Sequence, residues 1–171
     1  MLYRPEPSRL LIYFSLPGVG SGGEQFTDRL VKACAEVWES TYHRILEPNS
    51  IVQIRDQIKK HIASWGPGKT EGEHKFRFFD TNDQSGVIIL PKETIDECWN
   101  GAYKPALDRL AEILEDLKKH WNWGKYEKKP VVVASGGSLM NEALNERVDA
   151  MVKAAGFGPV FKVNQQGLSH E

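Results

Sequence analysis

Gly136, Gly137 and Ser138 follow a run of three valines and come just before a helical pattern. The order is typical of a strand buried on both faces, a glycine turn and a helix. A turn without Cβ atoms lets backbone N–H groups approach a ligand closely, and the N-terminal end of a helix favours an anion. The stretch therefore predicts a phosphate-binding turn. The alternative is an ordinary tight turn at a strand-to-helix corner.

A second glycine-rich loop, PGVGSGG, ends at Gly22 and Gly23 near the start of the chain. The segment LLIYFS, Leu10–Ser15, comes before it and predicts a strand. A helix with one apolar stripe is predicted from Glu24 onward, and the carboxylate of Glu24 is favourable in its first turn. The sequence thus contains two glycine turns, each followed by a helix.

The segments between these turns predict two further helices and a hairpin. Helical spacing covers Ile51–Ser64 and Pro91–His120, and Pro105 predicts a kink or two abutting helices in the second. The segments HKFRFFD and VIIL predict the strands of a hairpin. After the second glycine turn a last helix and a short strand, PVFKV, are predicted; the apolar stripe of that helix consists of Leu144, Val148, Met151 and Val152.

The composition excludes several classes of function. Lys and Arg number 22 against 23 Asp and Glu, so no net basic field attracts nucleic acid or an anionic membrane. No run reaches the roughly 20 apolar residues of a membrane helix. The five histidines lack ligand spacing, and Cys34 and Cys98 are expected to be small buried apolar residues. We expect a cytoplasmic protein without a protein-held metal site and without a nucleic-acid or membrane partner.

Four motifs in order carry a resemblance to a known family. They are GGEQF, DQIKKHIAS, GAYKPALDRL and VVVASGGSLMNEALNERV. Together they resemble the second lobe of the nucleotide-binding domain of the seventy-kilodalton heat-shock chaperone family, in the actin-like ATPase superfamily, and especially its divergent fungal members. The resemblance implies an α/β half-domain, ribonuclease-H-like, with a mixed sheet, flanking helices and a helix/hairpin insertion. The implied boundaries are a lead-in and first strand over 1–16, the lobe over 17–163 with its insertion at approximately 27–90, and a tail over 164–171.

The resemblance also implies roles for the two glycine turns. Gly136, Gly137 and Ser138 would contact the phosphate and ribose of an adenine nucleotide. The opposite wall of the cleft would be lined by Gly22, Gly23 and Glu24 of the GGE motif. The implied cofactor is ATP or ADP.

Three residues of the second predicted helix are also implied in nucleotide binding. Asp56 would accept hydrogen bonds from the ribose hydroxyls, and Lys59 and Lys60 would flank the adenosine. From the residues alone, a solvated helix face explains the lysines equally well. Asp56 and Lys60 also have the spacing of an i,i+4 ion pair, worth only about 0.2–0.5 kcal/mol.

Departures from the family pattern bear on catalysis and on the base. The sequence lacks the acidic-Gly phosphate loop, the catalytic lysine and the acidic-GGGT loop that serve γ-phosphate transfer in the family. Lys60 and Met140 occupy positions where the family has arginines that stack on adenine, and neither side chain offers a planar group. We therefore expect weak ATP or ADP binding without hydrolysis, with Mg²⁺ entering only if a first lobe is supplied.

Other interpretations remain open at the sequence level. The chain could be a non-catalytic protein-interaction module that retains the lobe fold, or one piece of a gene whose other part supplies the first lobe. A protein partner or that missing lobe is the expected partner. A serine hydrolase with Ser135 or Ser138 as nucleophile is disfavoured, because ASGGS lacks the G-x-S-x-G pattern and no histidine follows before His170.

Overall fold

The computed structural model describes residues 22–81, 84–120 and 132–163, which contain both helices and strands. The helices are α1 (Gly23–Tyr42), α2 (Pro48–His61), α3 (Lys92–His120) and α4 (Glu142–Ala154). The strands are β1 (His74–Phe79), β2 (Ser85–Leu90), β3 (Val132–Ser135) and β4 (Val160–Val163). A 3-10 turn, Gly137–Met140, connects β3 to α4. The α/β class and the hairpin are confirmed. The predicted strand Leu10–Ser15 and the segments 1–16 and 164–171 lie outside the described residues.

The described strands form two separate sheets. β1 pairs antiparallel with β2, and β3 pairs parallel with β4. Within the described residues these pairs are not joined into the mixed sheet that was expected. Val133 in β3 is 44% exposed, so the expectation of a strand buried on both faces is wrong for this residue. A two-stranded sheet leaves part of its surface open, whereas parallel strands are usually covered on both sides.

Helix α2 begins earlier than the sequence predicted. Its first residue is Pro48, three positions before Ile51, and it ends at His61. Proline suits the first turn of a helix because its missing N–H would have no partner there. Ile54 and Ile58 are fully buried, which confirms that the helical spacing of this segment directs one apolar face to the core.

Helix α3 continues without interruption through Pro105. Of the two expected outcomes, two abutting helices is therefore wrong, and a kink at Pro105 within the continuous helix stays a prediction. A proline inside a helix removes one backbone hydrogen bond, at a cost of about 3 kcal/mol. Trp99, Tyr103 and Leu114 lie in α3 on both sides of the proline and are buried. Burial of each such side chain stabilises by about 1.5–3 kcal/mol, enough to keep the helix continuous.

One hydrophobic core joins the helices to the hairpin. The buried face of the hairpin packs against α1 and α2, and α1 packs in turn against α3. Tyr103 contacts Phe26 of α1 edge-to-face at a ring distance of 5.8 Å. Cys34 of α1 is fully buried, whereas Cys98 of α3 is half-buried, and both are free. The expected role of Cys34 as a small buried residue is confirmed.

Burial of the Cys34 thiol and the Tyr103 phenol predicts that the protein loses stability at alkaline pH. Burial, reinforced by the nearby Cys98 thiol, raises the pKa of Cys34 from 9.0 to about 12, and burial raises the pKa of Tyr103 from 10.0 to about 12. Both groups are neutral when protonated, and the unfolded chain ionises them at lower pH than the folded protein does. Stability is therefore fully present below about pH 9 and is lost as the pH rises toward about 12.

We expect Cys34→Ala to remove part of this alkaline slope. Between about pH 8 and about pH 10.5, the free energy of unfolding should fall by about 2 kcal/mol more in the wild type than in the variant. Urea denaturation at the two pH values measures the difference. Equal slopes in the two proteins would contradict the assignment of the slope to this thiol.

Candidate functional site

The N-terminus of α1 meets the 3-10 turn. The Gly23 N–H donates to Ser138 Oγ at 3.2 Å and joins residues 115 positions apart in the chain. A Cβ at Gly22 would lie 2.9 Å from the same hydroxyl oxygen, and Gly22 has a φ of +153°. Position 22 thus requires glycine both for its backbone conformation and for the close approach. The structure brings the two predicted glycine turns into contact.

The corner between the two turns is open to solvent. Gly22 precedes α1 without a side-chain cap, and the exposed carboxylate of Glu24 in the first turn offsets part of the positive end of the helix dipole. Gly136 and Gly137 are exposed, and no described atom lies within 4 Å of an ideal Cβ at either position. Met140, at the end of the turn, is 60% exposed. An anion has access to this corner from solvent.

Helix α2 is held beside the same corner by an ion-pair cluster. The Arg55 guanidinium lies 2.7 Å from Asp28 Oδ1 and 3.6 Å from Glu24 Oε2, both in the first turns of α1. Lys59 follows Arg55 by four positions and so shares its side of the helix. Lys59 therefore lies one helical turn beyond Arg55 on the side of α2 that faces the start of α1. After the end of α2, the Ala63 carbonyl accepts the Glu142 N–H at 2.8 Å.

Asp56 and Lys60 lie on the neighbouring side of α2 and are exposed. The row of Ile54 and Ile58 faces the core, so the row of Asp56 and Lys60 faces solvent. No ion pair joins these two residues within the described part of the chain, so the i,i+4 pair allowed by the sequence is not formed. Neither side chain is brought into direct contact with the glycine turns.

The buried side chain of Asn141 holds the 3-10 turn in place by hydrogen bonds to neighbouring elements. The residue is 3% exposed, and its side chain uses all four of its hydrogen-bonding positions. Its Oδ1 accepts the Trp99 Nε1–H and the Leu144 N–H, both at 2.9 Å. Its Nδ2 donates to the Ile62 carbonyl at 2.6 Å and the Trp65 carbonyl at 2.7 Å. One amide thus caps α4 and fixes the 3-10 turn against α3 and the end of α2.

The sequence interpretation did not include Arg55 and Asn141. Asparagine immediately before a helical pattern is a recognised N-cap signal and could have marked Asn141. Its contacts with two carbonyls of the segment after α2 have no local signature. Arg55 could not be assigned from the sequence either, because its partners belong to α1 and its own helix offers no hint of them.

Other features of the described residues lie apart from this corner. A cavity of about 730 Å³ lies between α3 and α4, and none of the predicted site residues lines it. Within 22–81, 84–120 and 132–163, no group of three or more His, Cys, Asp or Glu side chains is arranged to hold a metal ion. In the same ranges, no helix combines the length and the apolar character needed to cross a bilayer.

The hydroxyl of Ser138 is engaged with backbone. Its Oγ accepts the Gly23 N–H, and the described contacts include no histidine at this oxygen. A nucleophilic serine needs a general base within hydrogen-bond reach, so the contact favours a structural or ligand-binding role.

No protein-family model matches the chain, and a search of curated proteins finds no match to it.

Proposed function

We propose that this chain is a nucleotide-binding lobe of the actin-like ATPase type that binds ATP or ADP weakly and does not hydrolyse it. The main support for this proposal is the hydrogen bond between Gly23 N–H and Ser138 Oγ, which joins the two glycine turns. Both turns were assigned to opposite walls of one nucleotide cleft by resemblance alone. Their contact joins both turns at one corner of the fold, so a phosphate bound at the exposed backbone of Gly136 and Gly137 would also lie near the start of α1.

The chemistry of the corner suits a phosphate. Gly136 and Gly137 leave room for close approach to the backbone, and the N-terminal end of α1 favours negative charge. Lys59 adds a positive charge from α2. Asp56 faces solvent on the neighbouring side of α2, outside this corner, so its contact with the ribose hydroxyls stays a prediction from the resemblance.

Weak affinity and lack of hydrolysis follow from the side chains that are missing. Met140 and Lys60 give no planar group for adenine, so the base loses stacking energy. Phosphoryl transfer depends on an oriented Mg²⁺ and charge stabilisation at the γ-phosphate, which in this proposal a first lobe supplies. That lobe, or another protein, is the proposed partner. Cys34 and Cys98 are free thiols, in keeping with a reducing compartment such as the cytoplasm.

A thermal-shift measurement tests nucleotide binding. A ligand at ten times its dissociation constant stabilises by about 1.4 kcal/mol, which corresponds to a rise in Tm of roughly 3–6 °C for a domain of this size. We expect ADP and ATP to give such a shift with the wild type. We expect Gly137→Asp to abolish it, because the carboxylate adds bulk and negative charge where the phosphate binds.

Gly158→Asp is the matched control. Gly137 and Gly158 both lack described neighbours within 4 Å of an ideal Cβ, and neither has a positive φ. Both variants should therefore fold with nearly the wild-type Tm, and only Gly158→Asp should keep the nucleotide shift. Absence of a wild-type shift at millimolar nucleotide, or equal shifts in both variants, would contradict binding at this turn. ATP hydrolysis by the purified chain above background would contradict the second half of the proposal.

The second candidate function is a protein-interaction module that retains the lobe fold without binding nucleotide. It is favoured by large apolar side chains on the surface near the turn and on the β3–β4 sheet, where Met140 is 60% exposed and Phe161 is 55% exposed. A wild-type protein whose Tm is insensitive to ATP and ADP would support this alternative.

A further inference from the structure

The two edges of the β1–β2 hairpin differ in whether their outward backbone groups are hydrogen-bonded. On the β1 edge, Gln57 accepts the Arg77 N–H at 3.2 Å and donates to the Arg77 carbonyl at 2.7 Å. Gln53, one turn earlier on α2, makes the same pair of bonds to Phe79 at 3.1 and 2.9 Å. The two glutamine side chains thus take the place of a neighbouring strand. This edge is closed to strand addition.

The β2 edge presents its backbone groups outward. In an antiparallel pair, opposite residues alternate between hydrogen-bonded pairs and pairs whose backbone groups point away from each other. Arg77 and Phe79 point away from β2, so their opposite residues Val87 and Ser85 point away from β1. The same alternation applies to Ile89, opposite Lys75. Within the described ranges, no hydrogen bond satisfies these outward groups.

The surroundings of this edge offer exposed apolar side chains, a cleft lined by both aromatic and polar residues, and unpaired positive charge. Val87 and Ile89 are each 42% exposed, and a cavity of about 440 Å³ at the start of β2 is lined in part by Trp38 and Tyr42. Arg44 lines the same cavity, and Asp80, also in its wall, already accepts the Gln84 N–H.

The positive charge at this edge comes from two guanidinium groups. Arg77 lies opposite Val87 on the exposed face of the hairpin, and Arg44 lies in the cavity wall. Neither arginine forms an ion pair within the described residues. A second copy of the chain would bring four such groups together, whereas an acidic segment would neutralise them.

We propose that the outer edge of β2 binds an extended, acidic segment of a partner protein by strand addition. The segment hydrogen-bonds to the outward groups of Ser85, Val87 and Ile89. Its side chains alternate between the two faces of the enlarged sheet. Carboxylates on one face meet Arg77, and an apolar side chain on the other enters the cleft at Trp38. This surface is distinct from the glycine turns and needs no nucleotide.

Fluorescence anisotropy with the full chain tests the proposal. The probe is a fluorescein-labelled hexapeptide, Glu-Val-Glu-Val-Glu-Trp, compared with the same peptide carrying Lys in place of Glu. We expect the Glu peptide to bind at least about tenfold more tightly than the Lys peptide. Val87→Pro removes one outward N–H without removing a bond to β1, since proline is tolerated at sheet edges. It should weaken Glu-peptide binding by about tenfold or more, while Val87→Thr should change it less than about twofold.

A charge-reversal variant keeps the test decisive if Val87→Pro fails to fold. Arg44→Glu combined with Arg77→Glu leaves the backbone edge intact and should reverse the preference toward the Lys peptide. Equal Glu-peptide binding by Val87→Pro and Val87→Thr, or no binding up to about 1 mM peptide, would overturn the proposal. So would a wild-type dimer that Val87→Pro dissociates, because the occupant would then be a second copy of the chain.

Discussion

Replacing Asn141 by alanine is expected to lower the free energy of unfolding by about 3–5 kcal/mol. The substitution removes the N-cap of α4 and leaves the Trp99 Nε1–H and the carbonyls of Ile62 and Trp65 without a partner in a buried site. Each buried unsatisfied group costs about 1–3 kcal/mol, and the losses are not additive because the groups share one network. Urea denaturation measures the change.

Two further variants separate the contributions of this amide. Asn141→Asp keeps the acceptor for Trp99 and Leu144 but places oxygen where Nδ2 donates to two carbonyls, so it should also destabilise strongly. Asn145→Ala is the control one helical turn later, because Asn145 Oδ1 is buried without a hydrogen-bond partner among the described residues. We expect that control to cost less than about 1 kcal/mol. Equal costs for Asn141→Ala and Asn145→Ala would contradict the anchoring role.

Substitution of Gly66 by alanine is expected to destabilise the protein by about 3 kcal/mol or more. An ideal Cβ at this buried position would lie 2.7 Å from Ala143 Cβ and 2.7 Å from Trp99 Nε1. Gly66 also has a φ of +143°, which alanine rarely adopts. The clash falls on the indole that bonds to Asn141, so the variant should also disturb the 3-10 turn.

Gly68→Ala separates backbone strain from the clash. Gly68 has a φ of +79°, yet no described atom lies within 4 Å of its ideal Cβ. Only conformational strain remains there, and we expect a cost of about 1–2 kcal/mol. The urea midpoints of Gly66→Ala and Gly68→Ala give the comparison. Similar losses of unfolding free energy in the two variants would contradict a costly clash at Gly66, because Trp99 and Ala143 would then move aside at little cost.

Local patterns in the sequence predicted the elements well where a single physical rule governs them. Apolar spacing of three and four residues predicted the helices, and polar–apolar alternation predicted the hairpin, whose buried residues include Phe76 and Ile88. The boundaries were less predictable. Pro48 starts α2 earlier than expected, and Pro105 does not end α3, because burial along the rest of that helix outweighs one lost hydrogen bond.

The candidate site was predictable in part. Glycine turns followed by helices marked Gly22–Gly23 and Gly136–Gly137, and the structure brings the two turns together. Asp56 and Lys60 share a motif with Lys59, yet helical geometry places them on a different side of α2. Arg55 was missed because its importance comes from carboxylates on α1.

The sequence by itself determined the α/β class, the order of the elements and the places where glycine breaks them, since each depends on neighbours within a few residues. Tertiary structure alone decided that Gly23 meets Ser138, that Asn141 joins α3 and α4 to the segment after α2, and that glutamines of α2 close one edge of the hairpin. Those contacts join residues up to 115 positions apart. Their existence depends on how whole elements pack, because hydrophobic burial is non-directional and leaves no local pattern for a particular long-range hydrogen bond.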